Sequence, residues 1–393
     1  MKILILEDTP EKLHSVKNEI FQIDPSFTVE SVGDFRNYHS RIMREKFDLL
    51  IVDLVVLDFP VNGTTRDMTE QITEVTRDFE CPNYRTPVLA LTQYDEKAEE
   101  KFKNLNEKDI TVITFDEGNC NWKTSLKHKI ELCIPPLTFD FVIVCALEKE
   151  AEGFSNAGYE VGATLVYQGL FIKEMSIADR KGAIVTAPRM GLVSAAITCT
   201  QAIDLFKPKL ICMSGICAGV KDRAKIYDVV LPDICHQNDS GKWTESGFVH
   251  EGYSVQLEHG LRQILAEVIC RGDFLEAVGN NVKIRKSEIP DGLEELTFDV
   301  FLAPTSSGSA VVADETVVRT IGGQHRKLSA FEMESFSLYE AARLSPIKPK
   351  YFSAKSVVDD GSASKGDSYH RIAAILSAKV VYECIRLALV KEF

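Results

Sequence analysis

The residues able to do chemistry in this chain fall into two sets. In the first, Glu7 and Asp8 follow the apolar run KILIL, Asp53 closes FDLLIVD, and Thr92 closes TPVLALT. Carboxylates gathered at the ends of buried strands make a hard oxygen site suited to Mg²⁺. A metal beside an aspartate also neutralises charge while a phosphoryl group moves onto that aspartate. Acids often do no more than punctuate strand ends, but four residues at matched positions favour function. In the second set, Glu150 follows FDFVIVCAL, Glu332, Met333 and Glu334 lie in FEMES, and Asp359 and Asp360 close AKSVVDD. Carboxylates in different surroundings can divide acid and base roles between them. Singly each is a weak signal, because acids also cap helices and favour the positive end of the helix dipole.

The elements that must position these residues form two blocks. Over residues 1–135, KILIL, FTVESV, FDLLIVDL, TPVLALT and DITVIT predict strands, and PEKLHSVKNEIF, FRNYHSRIMREKF and YDEKAEEKFKNL predict helices between them. The pattern implies an α/β doubly wound, flavodoxin-like parallel sheet, whose ligands gather at the carboxyl ends of the strands. A final helix over WKTSLKHKIELC stops at Ile134-Pro135-Pro136, which sets a boundary. Residues 138–393 predict a second α/β domain with strands at FDFVIVCAL, FIKEMSIA, GAIVTA, KLICMSG, DVVLPD, VFLAPTSS, LSAFEME and KYFSAKSVV. Its helices are expected at GLVSAAITCTQAIDLF, over 255–270, at FSLYEAARL and over YHRIAAILSAKVVYECIRLAL, while 272–295 reads least clearly.

Composition narrows the function. With 393 residues the chain exceeds one ordinary core, and its 45% hydrophobic and 26% charged residues are globular values. A net charge of -13 disfavours a nucleic-acid binder, though not a small anionic ligand held by local cations. MKILILED meets acid too soon for a signal peptide, and no apolar run is long enough for a bilayer. The ten cysteines lack paired metal spacing, so a cytoplasmic protein with reduced thiols is expected.

Residues 1–133 resemble the receiver domain of bacterial response regulators. The resemblance implies that Glu7, Asp8 and Asp53 bind Mg²⁺, that Asp53 accepts the phosphoryl group, and that Thr92 is the switch hydroxyl. It also implies an upstream histidine kinase or phosphotransfer protein. One departure stands out: receivers carry a lysine at the end of strand five, where ITVITFDEG has Thr114 and Phe115. Phosphorylation at Asp53 and a degenerate docking module are both compatible with this departure.

Residues 140–393 resemble the nucleoside phosphorylases and methylthioadenosine/S-adenosylhomocysteine nucleosidases through CALEKEAEGF, SGICAGVKDRAKIYDVVLPD, FEMES and AKSVVDDGSASKGD, taken in that order. The resemblance implies a phosphorylase/nucleosidase-like domain with a mixed central sheet. Glu150 would orient and deprotonate an attacking water, and Asp359, kept protonated by burial, would protonate the purine N7. Glu334 would accept hydrogen bonds from the ribose hydroxyls, Met333 would pack on the sugar, and Glu332 would be structural. Val311 and Val312 would hold the base, at a position where the nucleosidases often carry an aromatic. Gly215, Ala218 and Gly219 follow a strand, and small residues there let a flat ligand approach; Gly215 and Ile216 are expected to bind the substrate.

Water is favoured over phosphate as nucleophile. Phosphorylases use arginines to bind phosphate; KLICMSG has none beside its glycine turn, and Glu150 would repel the anion. Lys149, Arg189, Lys221, Arg223, Lys225, Lys355 and Lys365 lie in or near the motif loops and point to a phosphorylated substrate such as ATP or AMP. Lys355 stands where the family usually has an arginine, four positions before the acid. A receiver fused to such a domain is similar to effectors of two-component-like phage-defence systems that deplete ATP by releasing adenine. The expectation is a receiver-controlled purine nucleosidase, a homo-oligomer (dimer or hexamer), acting on an adenine nucleoside or nucleotide. It needs no cofactor beyond the receiver's Mg²⁺ and associates with neither nucleic acid nor membrane. The alternatives are a phosphorylase using inorganic phosphate and a non-catalytic nucleotide sensor.

Overall fold

A computed structural model describes residues 1–93, 103, 105–116, 118–134, 136–245, 247–361 and 367–389. Most of the helix expected over YDEKAEEKFKNL lies outside the described residues, as do Pro135 and Lys365. The chain divides into two compact units, Met1–Pro136 and Leu137–Phe393.

In the first unit, β1 (Lys2–Leu6), β2 (Thr28–Val32), β3 (Leu49–Val52), β4 (Val88–Thr92) and β5 (Ile110–Thr114) form a parallel five-stranded sheet in the order 2-1-3-4-5. Successive residues of a strand face opposite sides, so the apolar runs feed two cores. Ile3, Ile5, Leu49 and Ile51 pack against Val16 and Ile20 of α1 (Pro10–Ile23) and against Leu126 and Ile130. Leu4, Leu6, Leu50 and Val52 pack against Tyr38, Ile42 and Ile72 on the other side. The flanking helices are α2 (Phe35–Ile42), α3 (Thr69–Thr76) and α4 (Asn121–Cys133). Apolar strands with helices on both faces are what the sequence pattern requires. A small hairpin of Val55–Leu57 with Thr65–Asp67, following β3, was not foreseen.

In the second unit, β6 (Phe141–Cys145), β7 (Leu165–Tyr167), β8 (Leu170–Ile177), β9 (Arg180–Thr186), β10 (Leu210–Gly219), β11 (Val229–Gln237), β12 (Ser254–Gln256), β13 (Val300–Ser307), β14 (Ala330–Glu332) and β15 (Lys350–Asp359) build one mixed ten-stranded sheet. Its path runs 12-11-13-14-10-6-9-8-7, and β15 pairs with both β10 and β11. The flanking helices are α5 (Glu148–Asn156), α6 (Leu192–Phe206), α7 (His259–Ile269), α8 (Phe274–Gly279), α9 (Glu315–Gly322), α10 (Ser335–Leu344) and α11 (His370–Cys384).

Strand β10 fixes the geometry of the second unit. Its first half pairs with β6, its full length pairs in parallel with β15, and its end pairs antiparallel with β14. The β10–β15 register sets Gly215 opposite Lys355. It then shifts at Cys217/Ala218, so that Ala218 faces Asp359. A β-bulge of this kind re-aims side chains where strands must splay around a site. Among the described residues, no helix is long and apolar enough to cross a membrane.

Candidate active site

Glu150 is the third residue of α5 and is almost fully buried. Its Oε2 turns back to accept from the N–H groups of Ala146 (2.8 Å) and Leu147 (3.0 Å), while Oε1 accepts from the N–H of Ile216 (3.0 Å). A carboxylate has about four lone-pair positions. Three are taken by backbone, so one is left for a ligand. Burial raises the proton affinity of Glu150; the Lys355 charge works against that rise.

FEMES resolves into two roles. Glu332 accepts from the N–H groups of Glu334 (3.0 Å) and Ser335 (2.9 Å) and from the Ser307 hydroxyl, so it closes the start of α10. Glu334 instead reaches outward from the helix start. Its Oε1 accepts from the Gly191 N–H (3.0 Å) and its Oε2 from Lys355 Nζ (2.9 Å). Gly191 supplies that donor from a backbone with φ of 111°, a conformation suited to glycine, immediately before α6.

Lys355 is completely inaccessible and lies 2.9 Å from Glu334 and 3.4 Å from Glu332. Burial alone would lower its proton affinity, but Glu334, Glu332 and Glu150 together hold it well above the ordinary lysine range. This corrects the expectation that Lys355 binds substrate: it is the counter-ion of the carboxylates. Gly215 is corrected in the same way. A Cβ there would lie 2.6 Å from Glu150 Oε1 and 2.9 Å from Lys355 Nζ, so the glycine makes room for the buried ion pair rather than for a flat ligand.

Glu150, Glu334 and Asp359 open onto one cavity of about 510 Å³, together with Met333, Ile216, Val311 and Val312. Asp359 is only half-buried, which corrects the expectation that it is kept protonated by burial, and its Oδ1 accepts from the Gly361 N–H at 2.7 Å. Arg189 does not line the cavity, although its neighbour Met190 does; Arg189, Lys221, Arg223 and Lys225 are all exposed. Of the cations expected near the substrate, Lys149 lines the cavity.

Several lining residues escaped the sequence reading. Phe331 supplies an aromatic wall. The His370 Nδ1 lies 2.6 Å from Lys149 Nζ and 3.1 Å from Asp367. Burial and the Lys149 charge lower the proton affinity of His370.

In the first unit, Glu7, Asp8, Asp53 and Thr92 stand at the carboxyl ends of β1, β3 and β4. Lys12 occupies the space between two of them. Its Nζ lies 2.7 Å from Glu7 Oε2 and is hydrogen-bonded to Asp53 Oδ2. Burial raises the proton affinity of Glu7, with Lys12 pulling the other way. Asp8 turns elsewhere and accepts from the Leu57 N–H at 3.1 Å. Among the described residues, no three or more His, Cys, Asp or Glu side chains are grouped to hold a metal. Lys12 thus fills the space in which the expected Mg²⁺ would touch Glu7 and Asp53.

The protein y4jS of Sinorhizobium fredii is 27% identical over 424 residues, covering 98% of this chain and 99% of its own. The ATP nucleosidase Cap17 of Escherichia coli is 21% identical over 210 residues, covering 52% of this chain; the match spans 41% of that relative's length. Among solved structures, the 5'-methylthioadenosine/S-adenosylhomocysteine nucleosidase of Neisseria meningitidis aligns with 18% identity and a TM-score of 0.48. That alignment covers 63% of this chain and 98% of the nucleosidase. The futalosine hydrolase of Helicobacter pylori aligns with 16% identity and a TM-score of 0.49 over 64% and 97%. Residues 140–386, which carry the whole cavity, match the Phosphorylase superfamily, and the chain belongs to that superfamily.

Proposed function

We propose that the second unit is a purine nucleosidase that cleaves the N-glycosidic bond of an adenine nucleoside or nucleotide with water, and that the first unit is a receiver-type module controlling it. The observation carrying this reading is the convergence of Glu150, Glu334 and Asp359 on one cavity, although they are far apart in sequence. The named activity of the Cap17 relative favours ATP, with adenine and ribose 5-triphosphate as products. Lys149 and the His370 imidazole give the cavity a donor edge for a charged 5′ group. A role in anti-phage defence is supported only by the similarity of a receiver-type unit joined to such a domain to two-component-like defence effectors.

Glu150 and Glu334 have tasks that follow from their surroundings, and Asp359 has the one the family resemblance implies. Cleavage builds positive charge on the sugar and negative charge on the base. Glu150 holds water through its remaining lone pair, and its raised proton affinity makes it a better base for that water. Glu334 has acceptor positions left for the ribose hydroxyls after Gly191 and Lys355 are served. Met333 covers the sugar, Val311, Val312 and Phe331 enclose the base, and Asp359 donates a proton to the purine.

Attack by phosphate is disfavoured by the same geometry. The described residues lining the cavity include no arginine, and the Glu150 carboxylate would repel an anion in the attack position. The first unit takes its signal from an upstream histidine kinase or phosphotransfer protein, by transfer to Asp53 or by contact alone. The enzyme acts as a cytoplasmic homo-oligomer.

Chromatography of products from adenosine, methylthioadenosine, AMP and ATP, with and without phosphate, tests this reading. Free adenine formed without phosphate is the expected outcome. A requirement for phosphate with ribose 1-phosphate as product would make the chain a phosphorylase, and an unchanged nucleotide would make it a sensor.

A further inference from the structure

The acidic pocket of the first unit already contains a cation of its own. Lys12 is the third residue of α1 and lies on the helix's inner stripe with Val16 and Ile20, at i, i+4 and i+8. It is 3% exposed, bridges Glu7 and Asp53, and holds its ammonium 5.4 Å from the centre of the Phe115 ring. Phe115 directly follows β5, at the position where the sequence departs from a lysine. The ring packs in turn on Trp122, with centroids 4.9 Å apart.

We infer that Lys12 is the pocket's resident counter-cation, standing in for a divalent metal and for the missing strand-end lysine, so that Asp53 is a structural ion-pair partner and the unit signals by contact. This rests on the receiver-type reading of the first unit and is independent of the chemistry proposed for the second.

The physical argument is one of occupancy and charge. A divalent cation needs several oxygens converging at about 2.0–2.6 Å. Lys12 Nζ sits between two of the available carboxylates, and Asp8 turns one oxygen to the Leu57 N–H in the hairpin. To admit the metal, the ammonium would have to leave a site where its stem is buried and its charge paired. Phosphoryl transfer from a small-molecule donor needs an exposed Asp53 oxygen and a cation to neutralise the incoming group; here Asp53 is 8% exposed and its Oδ2 is bonded to Lys12.

Trp122 offers a direct readout, because it contacts the ring beneath Lys12. The chain has two tryptophans, and Trp243 is 79% exposed, so Trp243→Phe in the full chain isolates the signal. Millimolar Mg²⁺, alone and with beryllofluoride, is titrated against Trp122 fluorescence in this background and in the added Lys12→Gln variant. The expected result is no response in the Lys12 protein, and saturable Mg²⁺ binding at least about tenfold tighter in Lys12→Gln. Saturable binding by the Lys12 protein overturns the inference, as does a folded Lys12→Gln protein that stays silent. If Lys12→Gln does not fold, the Lys12 protein decides alone: silence supports the inference and saturation overturns it. Adenine release is not part of this assay, so its loss would bear only on the second unit.

Discussion

Each unit buries a lysine among carboxylates, and the two are used differently. In the first, Lys12 lies between Glu7 and Asp53 and occupies the space the acids enclose. In the second, Lys355 pairs with Glu332 and Glu334 without lining the cavity, and Glu334 keeps acceptor positions that open onto it. Both lysines are less than a twentieth exposed. The difference is one of position: a buried cation within a cluster closes it, whereas one that does not line the cavity holds several acids together while their oxygens remain available. The register of β10 against β15 creates the second arrangement, with Gly215 leaving the volume the ammonium and Glu150 share.

The largest effect expected from breaking this arrangement is on turnover. Glu150→Gln and Asp359→Asn are each predicted to lower kcat for adenine release by about 10²–10⁴-fold, the range for loss of a positioned acid or base. Steady-state chromatography checks both, with circular dichroism to show that the fold is kept. Lys355→Met and Lys12→Met are next. Each removes one partner of a buried ion pair and is expected to destabilise its unit by about 3–5 kcal/mol. Denaturant melts measure this, and an unchanged midpoint in either variant would break the parallel between the lysines.

Smaller effects sharpen the second pocket. Gly215→Ala pushes a methyl group against Glu150 and Lys355. Because small misplacements at a reacting centre are costly, a fall in kcat of about tenfold to a hundredfold is predicted. The pH profile carries a sign as well. Burial raises the proton affinity of Glu150, so its basic form disappears as pH falls through a value above the ordinary carboxylate range. The acid limb of kcat/KM should therefore lie above that range; a profile flat down into it would contradict the assignment.

Much of the architecture was legible because its apolar runs are continuous. KILIL, FDLLIVDL and KLICMSG are buried strands wherever they are placed. Helix α3, TEQITEVT, was not singled out: it is one short run rich in polar and β-branched residues, and its inward face shows little more than Ile72 and Thr76. Within FEMES the two acids were separable by role, yet Phe331 beside them was passed over, because its place in the cavity wall depends on how β14 pairs with β10. The function of Gly215 is a matter of strand register, which no local pattern reveals. His370 reads as an ordinary helix start until the chain is folded. Lys12 did leave a trace, as a charged residue at a core position of an amphipathic helix, and that is the signal that could have found it.

Water attack at the sugar is the central claim, and isotope transfer tests it most directly. Turnover of ATP in ¹⁸O-labelled water without phosphate should place the heavy oxygen in the sugar product while free adenine accumulates, with both signals lost in Glu150→Gln. Adenine formed with an unlabelled sugar, or none formed until phosphate is added, would contradict the account.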